Sequence, residues 1–131
     1  MISIILITIC VLIFAVVIPV LEVNASHVFN SSWPAHARFH QVWQLLTNCG
    51  IGLLCLWLIW LKNMVQLASV LVVLVMGSVL VAPTIQDFYS GSILPGNISK
   101  TILGVELSAF AASVAVAMAV GAAILESRLK K

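Results

Sequence analysis

An all-α integral membrane fold, a bundle of four transmembrane helices, is the class this sequence predicts, and three observations carry the prediction. Hydrophobic residues make up 63% of the 131 positions and charged residues only 8%. Mean hydropathy is +1.21, a value a water-soluble domain of this size could hold only by exposing large apolar patches. The apolar residues also fall into four runs of roughly 20 residues, the length that crosses a bilayer as a helix. The chain therefore reads as a single transmembrane domain over residues 1–131, with the lipid bilayer as its first partner. Its net charge of +2 is scattered, and nothing in it points to nucleic acid.

The first span covers 2–21. It is uncharged, longer than the apolar core of a signal peptide and not preceded by a basic segment, so it reads as a retained span despite a passable cleavage site at Val23-Asn24-Ala25. Pro19 is expected to kink or end it. The second span, 36–61, belongs to a helix that starts near Pro34, a residue suited to the first turn, with Ser32 upstream as a cap. Trp57 and Trp60 mark its far end as interfacial residues, and Lys62-Asn63 makes a short turn. The third span, 64–82, is rich in valine; in lipid, backbone hydrogen bonding imposes a helix on such a run. Pro83 closes it. The fourth span, 101–125, carries two rows of small residues, Gly104/Ser108/Ala112 and Ala109/Ser113/Ala117/Gly121, which predict close packing against neighbouring helices or a homo-oligomer.

Four spans place both termini on one side. Lys62, Arg128, Lys130 and Lys131 fall on that side against Arg38 and Lys100 on the other, so both termini are expected in the cytoplasm and residues 22–36 and 84–100 outside. Three Asn-X-Ser patterns, at Asn24, Asn30 and Asn97, lie on the expected outer side. Cys10, Cys49 and Cys55 all sit in apolar runs, where a free thiol behaves as a small hydrophobe.

Chemistry concentrates in Trp33-Pro34-Ala35-His36-Ala37-Arg38-Phe39-His40-Gln41-Val42-Trp43-Gln44, where His36, His40 and Gln44 recur every four residues and share a helix face. Glu22, His27, Asp87 and Glu106 map to the same end of the bundle. Glu106 is expected a turn or two inside the fourth span, where an ionisable group is costly unless it is paired or wetted. Three readings follow. As an acid–base site, His36, His40, Glu106 and Asp87 exchange protons with an apolar substrate. As a ligand pocket, Trp33, Arg38, Trp43 and Tyr89, with Phe39 and Phe88, hold a flat apolar molecule. As a metal site, His36, His40, His27 and Glu22 hold zinc, copper or iron, although Ala37 stands where an H-E-x-x-H protease has its glutamate.

The stretch from Trp33 to Trp43, followed by Asp87 beyond the third span, resembles small uncharacterised four-helix membrane proteins. The architecture is similar in outline to the emopamil-binding and DoxX-like families. The first of these includes sterol isomerases with intramembrane acidic and histidine residues, so the resemblance implies acid–base chemistry on a lipid-like substrate. The sequence reading is thus a membrane protein that binds, and in one version converts, an apolar or lipid-like ligand. The alternatives are an accessory subunit of a larger membrane complex and a dimeric transporter.

Overall fold

A computed structural model describes residues 1–93 and 101–129. Four helices in it are long and apolar enough to cross a membrane: α1 (Ile2–Glu22), α2 (Ala35–Trp60), α3 (Val65–Tyr89) and α4 (Leu107–Leu129). Expectations that fall on 94–100, Lys100 and Asn97 among them, and on Lys130 and Lys131 lie outside the described residues.

α3 and α4 form the most extensive antiparallel pair. α1 packs against α4 on one side and α2 on the other, and α2 and α3 pack together beyond the Lys62-Asn63 turn. Asn63 takes a positive φ there, a conformation that asparagine tolerates better than most residues. The shared core comprises Ile7, Cys10, Val11 and Phe14 of α1, Cys55, Leu58 and Ile59 of α2, Val65, Ala68, Val72 and Met76 of α3, and an alanine stripe of α4. That stripe is Ala112, Ala115, Ala119 and Ala122, all fully buried. Its alternating three- and four-residue spacing gives α3 and α1 a smooth face on which backbones approach closely. The expected row Ala109/Ser113/Ala117/Gly121 is not the packing seam: Ser113 and Ala117 point outward.

The first and third helices keep their expected bounds to within a residue or so, each with a local irregularity beside its proline, and the fourth starts later than expected. α1 runs through Pro19 to Glu22, because Ile13–Val17 form a π-helical turn just before the proline. Pro19 has no N–H to give the Ala15 carbonyl four residues earlier. Cys49 of α2 donates its thiol to that oxygen at 3.3 Å. The α-helical part of α3 ends at Val81, just before Pro83 as expected, and continues past the proline only as a 3₁₀ segment, Ala82–Tyr89, near whose start a missing N–H is tolerated. The fourth helix starts at Leu107 rather than near 101. A two-residue hairpin precedes it, β1 (Thr101–Ile102) and β2 (Val105–Glu106), with Thr101 opposite Glu106 and Ile102 opposite Val105. Leu103 and Gly104 both take positive φ in its tight turn, the backbone that a two-residue hairpin requires.

The cysteines do more than fill space. Cys10 donates to the Ala115 carbonyl at 3.4 Å and Cys55 to the Ala68 carbonyl at 3.9 Å, so each of the three thiols reaches a backbone oxygen on a neighbouring helix. α1 crosses α2 closely at Gly52, where an added Cβ would collide with Ala15 Cβ and lie 3.3 Å from Val11 Cγ1. Gly50, one turn-face away, has open space around it. Gly52→Ala is therefore expected to lower stability by about 1–3 kcal/mol through overpacking, and Gly50→Ala to leave it within about 0.5 kcal/mol. Unfolding both variants beside the parent in mixed micelles with increasing SDS checks the contrast.

Candidate functional site

The polar residues at the end bearing the long connections divide into two clusters, and a cavity lies below them. The first cluster is the α1–α2 connection. Glu22, the last residue of α1, has its Oε2 3.3 Å from His27 Nε2 and accepts a hydrogen bond from Gln41 Nε2 of α2 at 2.9 Å. His27 Nδ1 lies 2.7 Å from Ser26 Oγ, and its ring meets Trp33 edge-on at 5.7 Å. Asn24 and Asn30 are spent locally. Asn24 Oδ1 accepts from the Ser26 backbone N–H at 2.7 Å and Asn30 Oδ1 from that of Ser32 at 3.0 Å, each closing an Asx-type turn. This network clasps the end of α1 to α2 through the contacts of Glu22 with His27 and Gln41.

The second cluster is the start of α2. His36 and His40, one turn apart, have their Nε2 atoms 3.0 Å from one another. His36 stacks on Phe39 at 6.1 Å, and His40 on Trp43 at 5.6 Å. Both histidines are exposed. The sequence spacing thus correctly puts them together, but on an outward face.

The expected metal set does not assemble. His36 and His40 form one pair, His27 and Glu22 another, and among the described residues no three histidine, cysteine, aspartate or glutamate side chains stand close enough to hold an ion. The physical reason is local: starting α2 at Ala35 turns His36 and His40 outward, while Glu22 draws His27 to the end of α1. The expected acid–base set also separates. Glu106 precedes the first turn of α4 and caps it; its Oε2 accepts from the Ser108 backbone N–H at 2.7 Å and from the Ser108 hydroxyl, at the helix end where a negative charge is favoured. Asp87 is exposed on the 3₁₀ segment of α3.

The cavity, about 610 Å³ in volume, lies between α1, α2 and α3, within the ~300–1,000 Å³ of small-molecule sites. Phe14 and Ile18 of α1 and Ile51 of α2 line one side, Leu74, Val75, Met76 and Val79 of α3 the other, and Tyr89, Ser92 and Ile93 its end toward the connections. Phe14 belongs to the π-helical turn, a feature that recurs at functional sites. The polar lining consists of Gln44, Asn48, Ser78, Tyr89 and Ser92. Ser78 donates back to the Leu74 carbonyl at 2.6 Å and Tyr89 to the Ala82 carbonyl at 3.0 Å. Gln44 and Asn48 differ: among the described residues, neither carboxamide has a hydrogen-bond partner. Of the expected ligand-binding residues, Tyr89 lines this cavity, while Trp33, Arg38 and Trp43 do not.

Asn48 is the residue the sequence reading missed. Its signal was present, since the row His36, His40, Gln44 continues by one more step of four to Asn48. The two clusters should respond differently to mutation. Glu22→Ala leaves Gln41 and His27 without their shared acceptor and is expected to cost about 1–3 kcal/mol. His36→Ala/His40→Ala, on an exposed face, should stay within about 0.5 kcal/mol in the same SDS titration. Comparisons with family models, with curated proteins and with solved structures found no match, so the chemistry of this site is read from its geometry.

Proposed function

We propose that this chain is a multi-pass membrane protein that binds a small apolar or lipid-like molecule in the cavity between α1, α2 and α3. The observation that carries the reading is Asn48, half-buried and without a hydrogen-bond partner among the described residues, with the exposed Gln44 one turn above it, in an otherwise largely apolar wall. Asn48 lies about 18 Å from Trp60 along α2 at ~1.5 Å per residue, which is near the middle of a ~30 Å hydrocarbon layer. A carboxamide left unpaired at that depth costs several kcal/mol in lipid. A bound molecule with a hydrogen-bonding head removes that cost, and its tail fits the aliphatic walls.

The distribution of Lys62 and Arg128 against Arg38 favours the connection end as the outer side, with the termini cytoplasmic. Glu22 lies one helical turn above Ile18 of the cavity wall, and Gln41 one turn above Gln44. In a reading as an acid–base enzyme, the Glu22–His27 pair is therefore the proton-exchanging group at the mouth. A second reading, docking of α4 on another membrane subunit or on a second copy, draws on the outward-facing Ser113 and Ala117.

The test is to fill the cavity. Val79→Trp places an indole in the wall, whereas Leu67→Trp adds the same group on an exposed position of α3. Protein purified in mild detergent is extracted and its lipids measured by mass spectrometry. Val79→Trp is expected to lose at least about fivefold of a lipid that the parent and Leu67→Trp retain; equal lipid in all three would overturn the proposal.

A further inference from the structure

We infer that the cavity selects an uncharged lipid whose head carries hydroxyl or carbonyl oxygens, held by Gln44 and Asn48; this rests on the cavity being a lipid site. Each carboxamide offers two N–H donors and an accepting oxygen. A bare hydrocarbon chain in the cavity would satisfy none of these, whereas an ester carbonyl accepts from them and a hydroxyl both accepts and donates. The two residues stand one turn apart, with Cβ atoms ~5–6 Å from each other in a regular helix, so they can engage two oxygens of one head group.

The charge pattern argues against an ionised head. Among the described residues, neither a basic nor an acidic side chain lines the cavity. An anion drawn to this depth would lose its hydration with no countercharge to replace it. The basic residue next along α2, Arg38, is about 9 Å above Gln44 on the helix axis at ~1.5 Å per residue. The Glu22 carboxylate, one turn above the Ile18 wall, disfavours a second negative charge there. The volume argues against a helix of a second copy as occupant: 610 Å³ accommodates a lipid head and part of its chains, whereas a helix with its side chains is ~10–12 Å across.

The experiment uses the full chain released from detergent into native mass spectrometry, titrated with dioctanoylglycerol or dioctanoylphosphatidic acid, which share tails and differ in head charge. The expected result is at least tenfold tighter retention of dioctanoylglycerol, reduced at least tenfold in Gln44→Leu/Asn48→Leu. Both substitutions make α2 more apolar, and circular dichroism checks that its helicity is kept. Equal retention of the two lipids, or tighter phosphatidic acid lost in Arg38→Gln, overturns the head-group inference while leaving the cavity reading in place. Neither lipid retained, or retention unchanged by the double substitution, overturns both. A dimer of the parent that falls apart in the double variant also overturns both, because the carboxamides would then pair between copies.

Discussion

The close crossing of α1 over α2 is the constraint on which the remaining architecture depends. Gly52 lets Ala15 and Val11 of α1 sit against the α2 backbone, and Cys49 supplies the Ala15 carbonyl with the donor that Pro19 lacks. The π-helical turn at Ile13–Val17 absorbs the change in winding ahead of the proline. One turn further along α2, toward the connections, the helices stop fitting so closely, and the cavity lined by Phe14, Ile18, Gln44 and Asn48 opens. The crossing holds the helices near; the interrupted helix beside it leaves the space.

The other helices form the rigid background. Alanines on α4 let α1 and α3 approach without large side chains intervening, so contact is made by many weak dispersion terms between closely apposed backbones. At the end bearing the connections, two capping devices limit how the helices leave the bundle. Glu22 is tied to His27 and Gln41, and Glu106 closes the first turn of α4. Both carboxylates thus do structural work at helix ends, a different role from the shared chemical centre that their convergence in sequence invites.

This assigns different meanings to the two halves of the polar row on α2. His36 and His40 are exposed among aromatic rings, with their imidazoles hydrogen-bonded to one another. Gln44, also exposed, and the half-buried Asn48 continue the same row onto the cavity wall, and at Asn48 an unpaired amide is costly. A polar group kept at a costly position is a better indication of a ligand than one kept at an inexpensive position. The uncharged character of the pair also matches a low-dielectric setting in which an ionised ligand head would be penalised.

Composition and period were enough to determine four helices, their order, the Lys62-Asn63 turn and the pairing of His36 with His40, because each depends on contacts local in sequence or on the bilayer's demand for satisfied backbone. Even the step from Gln44 to Asn48 was written in the spacing. Tertiary structure alone decided which faces meet. Ala112, Ala115, Ala119 and Ala122 rather than Ser113 and Ala117 form the seam of α4, and Gly52 rather than Gly50 takes the crossing. Nor could sequence show that His27 prefers Glu22 to the other histidines, or that Pro19 is bridged by a thiol thirty residues away. These choices depend on the rotation of each helix about its own axis. In a chain that is apolar on nearly every face, hydrophobic periodicity leaves that rotation open, and only the fit between backbones selects it.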